Sequence, residues 1–219
     1  MSDRPKANIY VDGFNLYRQK LQYHPDAKWL DLEALSSKLL PTHDIQRIRY
    51  FTALIQPLLG TDPQAPIRQQ TYIRALQTNP KVTVHEGQFR HDRRLLPAMP
   101  ITFDENGEVI RVRVRKTEEK GSDVNLASYM IFDASRDEAD VYVLVSNDSD
   151  FAAMLGILTE EMGKRFGLFT PVESPNSRIL QRRPLFIKQI RRGVLLDSQL
   201  PDELHVAGRG RLRRPDSWR

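Results

Sequence analysis

Four aspartates stand where carboxylates could share a cation. Asp12 closes the run Ala7-Asn8-Ile9-Tyr10-Val11 just before Gly13, and Asp148 and Asp150 follow the run Val141-Tyr142-Val143-Leu144-Val145 through Ser146-Asn147. Asp123 opens a further segment beside Ser122. Carboxylates brought together repel and raise one another's pKa unless something positive compensates them, so such a set calls for a cation. The chain has no cysteine, which leaves oxygen or imidazole as ligands, and oxygen donors select Mg2+ or Mn2+. A metal held in this way polarises a phosphodiester and acidifies a bound water. Phosphodiester hydrolysis is the reaction class that best uses such a site. Each aspartate also has a plain structural alternative: Asp12 as a turn residue, Asp123 as a first-turn charge favoured by the helix dipole, and Asp148 or Asp150 as a helix cap.

Other polar residues can serve this set. Asn15 lies three residues after Asp12, placed to position a water or a phosphate, and Lys120 lies three before Asp123, placed to offer a cation. Ser146, Asn147 and Ser149 can orient the carboxylates by hydrogen bonding. His24, His43, His85, His91 and His205 show no metal-ligand spacing and receive no role. Arg90, Arg93, Arg94, Lys116 and Lys120 are the candidate nucleic-acid contacts, with Phe89 close by to stack on a base, a mixture suited to single-stranded RNA. Solvated surface is the competing reading for these charges. A net charge of +5 and a pI near 9.5 favour a polyanionic partner.

The elements that must position these residues read as alternating strands and helices. Residues 7–12 predict a strand delivering Asp12 to its C-terminal end, and 14–22 a short helix. Asp31 reads as the cap of a helix over 32–40, followed by a strand over 45–54 and a helix over 67–76. Residues 81–115 alternate in the manner of an inserted β-hairpin, whose basic middle, 89–100, ends in a proline-bounded loop and reads as a candidate flap. Ser122 and Asp123 start a helix. Residues 141–145 form the strongest strand, apolar on both faces, and 151–161 a helix. One more strand over 165–169 and a helical region over 179–192 follow. The pattern predicts an α/β fold, a three-layer α/β/α sandwich with a mostly parallel central sheet, where ligands sit beyond the C-terminal strand ends.

At 219 residues the chain suits one catalytic domain, 1–200, with the insertion around 81–116, and a basic tail, 201–219, expected to be poorly ordered from 209 on. No apolar run approaches the roughly 20 residues of a membrane span, and no signal core follows the charged start, so a cytoplasmic protein without membrane contact is expected. Phosphate-binding glycine loops are absent, which removes motif support for nucleotide-fuelled chemistry.

Three ordered segments carry a resemblance. Ile9-Tyr10-Val11-Asp12-Gly13-Phe14-Asn15, then Glu119-Lys120-Gly121-Ser122-Asp123-Val124-Asn125-Leu126, then Val143-Leu144-Val145-Ser146-Asn147-Asp148-Ser149-Asp150-Phe151 resemble the NYN domain family of PIN-like nucleases, nearest to its bacterial LabA-like branch. The resemblance spans roughly 7–196. It implies a PIN-like fold, metal-dependent cleavage of RNA with Mg2+ or Mn2+, and Asp12, Asp123, Asp148 and Asp150 as the acidic site with Asn15 and Lys120 accessory. It leaves DNA open as a substrate and admits a homodimer. Asn147 departs from the glycine common at that place, although asparagine tolerates the same tight turn. The alternative is a regulatory RNA-binding module that keeps the fold with little catalysis. A phosphotransferase using an aspartyl nucleophile ranks below both, because Asp12 is followed by Gly-Phe and not by a second aspartate.

Overall fold

Strand order places the first strand of the chain beside one from its second half. The computed structural model describes residues 4–55, 62–206 and 210–219. Its strands β1 (Lys6–Asp12), β2 (Asp44–Ala53), β3 (Val82–Pro97), β4 (Arg111–Lys120), β5 (Val141–Val145), β6 (Phe166–Thr170) and β7 (Ile187–Gln189) form one sheet in the order β4-β3-β2-β1-β5-β6-β7. All neighbouring pairs are parallel except β3 with β4. Helices α1 (Gly13–Gln19), α2 (Leu32–Leu39), α3 (Ala65–Leu76), α4 (Ser122–Ser135), α5 (Ala152–Gly156), α6 (Ser177–Leu180) and α7 (Arg192–Leu196) connect them. The expected α/β sandwich with a mostly parallel sheet is the observed architecture.

Alternation along the central strands builds two cores. Ile9 and Val11 with Val143 and Val145 face Leu16, Leu35, Trp29 and Leu195, while Tyr10, Tyr142 and Leu144 face Leu126, Met130 and Leu155. Period-two side-chain direction is what lets one strand serve both layers. Asp31 caps α2 as expected, accepting from the N–H groups of Glu33 and Ala34.

One expectation is met and two fail. The expected β-hairpin is β3 with β4: β3 starts as a parallel neighbour of β2, then pairs antiparallel with β4 through Pro97, so the basic stretch 89–97 is strand and loop begins only after it. The long ladder satisfies its backbone groups, which an isolated flap would leave to water. The helical region 179–192 is broken up, with Ile187–Gln189 forming edge strand β7. Pro184 lacks an N–H, and the N–H of Leu185 donates to the Phe166 carbonyl across the sheet instead of continuing a helix. The tail is ordered where described: β8 (Glu203–Val206) pairs with β9 (Gly210–Arg213). Trp218 packs against Trp29 and Tyr72, with ring centroids 6.3 and 6.1 Å apart. Aromatic burial anchors a segment whose charge suggested disorder. Among the described residues no helix is long and apolar enough to cross a membrane.

Candidate active site

The sheet reverses direction of travel between β1 and β5, and the candidate residues gather there. Val11 is paired with Val145, so the residues that follow, Asp12 and Ser146, emerge side by side at the C-terminal edge, the place where open parallel sheets bind ligands. Asp12 is also the cap of α1, accepting from the Asn15 N–H at 2.9 Å, so the turn reading and the site reading hold together. Gly13 is required there, because a Cβ would lie 2.6 Å from the Tyr50 ring. The Ser146 hydroxyl donates to the second Asp12 oxygen at 2.9 Å and accepts from the Asp148 N–H at 3.1 Å. Ser146 thereby locks the two acidic turns to each other.

Asp123 arrives from the other side. Gly121, with φ of 99°, turns the chain out of β4 into α4, and Asp123 sits in the first helical turn. Gly87 lets β4 approach, since a Cβ there would stand 2.5 Å from the Glu119 carboxylate and 2.8 Å from the Lys120 carbonyl. Glu119 in turn accepts from the Ser122 N–H at 3.0 Å.

One groove of about 530 Å3 is lined by Asp12, Asn15, Asp123 and Asp148 together with Glu119 and Lys120. Asp150 stands outside this lining, exposed in the turn Ser149–Phe151, where its N–H donates to Asp148. Lys120 faces the groove but also pairs with Glu118 at 3.3 Å. Asn15 accepts from the Asn147 N–H at 3.0 Å, and Asn147 accepts from the Asn176 N–H at 2.7 Å. This chain ties the start of α1 to the acidic turn and on to the cap of α6. Ser149 makes no contact with the carboxylate side chains among the described hydrogen bonds. Glu119 and Asn176 escape a reading of sequence alone. Glu119 carried a signal, since it stands four residues before Asp123 in the same motif, whereas Asn176 carried none.

Electrostatics mark the groove. Asp12 is 5% exposed, and burial pushes its carboxyl up to about 6, with the Asp123 and Asp148 charges adding to the rise against the hydrogen bonds from Asn15 and Ser146. Asp123 is raised as well, first by burial and then by Glu119, Asp148 and Asp150. The donor set is all oxygen and short of positive charge, which fits a hard divalent cation. Among the described residues no three carboxylate or imidazole side chains stand close enough to form a closed metal cluster. The groove therefore offers ligands whose convergence on one ion needs side-chain rotation.

Beside the groove, sharing Phe14, lies a smaller cavity of about 160 Å3 walled by Tyr17, Tyr50, Tyr72 and Trp218, with Lys28 and Arg68 at its lining. Cavities of roughly 150 Å3 hold one benzene-sized ring.

A model of the NYN domain matches residues 6–188. The 6-hydroxy-3-succinoylpyridine 3-monooxygenase HspA of Pseudomonas putida is 29% identical over an alignment 242 positions long, which covers 99% of this chain and 76% of that protein. The crystal structure of a protein of unknown function from Vibrio parahaemolyticus superposes with a TM-score of 0.53 at 16% identity, covering 91% of this chain and 99% of that one. That likeness is one of fold.

Proposed function

The chain belongs to the NYN domain family, a family of nuclease type, and from that premise we propose that it is a cytoplasmic, divalent-metal-dependent ribonuclease hydrolysing RNA phosphodiester bonds. The observation that carries this reading is the buried Asp12, held without a counter-charge beside Asp123 and Asp148 in one groove. Asp12, Asp123, Asp148 and Asp150 would hold Mg2+ or Mn2+, Asp150 by turning in from the rim. The bound ion would supply an acidified water and neutralise the leaving oxygen. Ser146 and Asn15 keep the carboxylates oriented, as residues behind metal ligands do. Lys120 offers a cation to the phosphate from the groove wall, and the basic arm of β3 and β4 supplies further phosphate contacts.

Incubation of the purified chain with end-labelled RNA and Mn2+ tests this. Cleavage that stops with EDTA and in Asp148→Asn is expected; cleavage indifferent to both overturns it. RNA bound but never cut would assign the fold to a non-catalytic RNA-binding module.

A second reading rests on the aromatic cavity. The named Pseudomonas relative acts on a pyridine ring, and a cavity sized for one ring lies next to the groove. On this reading the chain binds a small heterocycle there. Saturable quenching of tryptophan fluorescence by a hydroxypyridine, lost in Tyr17→Ala, would favour it over RNA.

A further inference from the structure

The arm built by β3 and β4 has two unlike faces. Its register sets Arg93 opposite Arg115, Leu95 opposite Arg113 and Pro97 opposite Arg111, without a slip. Residues directly opposite in an antiparallel pair share a face, and the next pair takes the other. Arg93, Arg111, Arg113 and Arg115 therefore lie on one face, and Arg90, Arg94, Lys116 and Lys120 on its reverse.

The reverse face is self-paired, its four cations sharing the two carboxylates Asp92 and Glu118. Arg90 and Arg94 reach Asp92 at 3.0 and 3.2 Å, Lys116 pairs with Glu118, and Lys120 reaches the same Glu118 at 3.3 Å. On the first face the arginines are exposed, and none of them pairs with a carboxylate among the described residues. Arg93 directly opposite Arg115 is a like-charge pair, an arrangement that destabilises a ladder and gains nothing within the chain. An external anion resolves it.

The arginine face leads to the acidic groove, which Glu118 and Lys120 at the inner end of the reverse face also line. The inner end of the arginine face carries Phe89 opposite Glu119; the Phe89 ring lies 5.7 Å from Phe14, and Glu119 lines the groove. From there to the tip the row extends about 25 Å at roughly 3.3 Å per residue. Arginine fills every cationic place along it. That residue grips phosphate with a planar fork and stacks on bases, which distinguishes a nucleic-acid track from a generic basic surface.

We propose that the Arg93, Arg111, Arg113 and Arg115 face is the track along which the phosphate backbone of single-stranded RNA runs into the acidic groove, the reverse face beyond the groove residues Glu118 and Lys120 being a self-paired wall. This rests on the nuclease reading of the groove, and its test does not depend on turnover. Anisotropy of a labelled single-stranded RNA is measured in EDTA across a potassium chloride series. Wild type is compared with two triple variants that remove equal charge from opposite faces: Arg93→Gln/Arg113→Gln/Arg115→Gln and Arg90→Gln/Arg94→Gln/Lys116→Gln.

Each phosphate contact to a single strand contributes about 0.7 to the slope of log affinity against log salt. The first variant is expected to lower that slope by about 2, the second by less than about 0.7. Equal losses from both faces, or an unchanged slope in the first variant, overturn the proposal. So does binding of polyglutamate as tight as binding of RNA. A lowered slope in a protein that never cuts RNA would sink the catalytic reading and leave the track standing. Normal cutting with an unchanged slope would do the reverse.

Discussion

Helix α4 carries one aspartate near each end, Asp123 at the groove and Asp133 about 15 Å further along at 1.5 Å per residue. Asp133 is the informative partner for a comparison with Asp12, because both are buried, at 0% and 5% exposed. Asp133 accepts from the Arg49 guanidinium twice at 2.7 Å and from the Tyr10 hydroxyl at 2.6 Å, with Arg47 at 3.5 Å. Burial, with the Asp133 hydrogen bond and charge, holds the Tyr10 phenol protonated far above its ordinary range. Asp12 has only neutral donors, and its charged neighbours are other carboxylates. A buried carboxylate with its own cations is a strut between sheet and helix; one without them is a place for a cation to arrive.

Breaking the strut has the largest effect. Asp133→Ala leaves Arg49 buried and unpaired, and urea denaturation should show a loss of about 3–5 kcal/mol. A loss under about 1 kcal/mol would erase the contrast between the two sites. Filling the other site comes next. Mn2+ at about 100 times its dissociation constant should stabilise the chain by about 2.7 kcal/mol, a rise in melting temperature of several degrees. Asp12→Asn should not respond to the metal.

The same substitution sharpens the comparison without metal. The folded carboxyl at about 6 lies above its ordinary 3.8, so the folded state holds the extra proton between those values, and stability falls as pH rises through that window. In EDTA at neutral pH, Asp12→Asn should therefore be more stable than wild type by about 3 kcal/mol, an advantage that vanishes below about pH 4. A constant difference across that range would show that the folded Asp12 carboxyl is not raised. Tyr10→Phe, which removes one hydrogen bond from Asp133 and leaves the guanidinium in place, should cost about 1 kcal/mol in the same denaturation assay.

Much of the candidate site is visible in the chain because it depends on strand ends. Asp12 and Asp148 each follow an apolar run, and in a parallel sheet such strand ends share one edge. Asp123 is visible as a helix start. Glu119 is hidden, since its place depends on Gly87 allowing β4 to close on β3. The arm reads as basic, yet composition does not tell which charges are paired, and the tail reads as disordered because the partner of Trp218 is Trp29, far away in sequence.

The sequence by itself determined the oxygen-only donor set, the apolar strands that end in it, the alternation that makes a two-sided sheet, and the family motifs. Tertiary structure decided that β5 lies beside β1, which sets Ser146 against Asp12 across 134 positions, and it decided the register of the arm. Both are pairings between distant segments. A strand's side chains alternate with period two, so a slip of one residue would bring Arg111, Arg113 and Arg115 to the side of Asp92, and Glu118 to the side of Arg93.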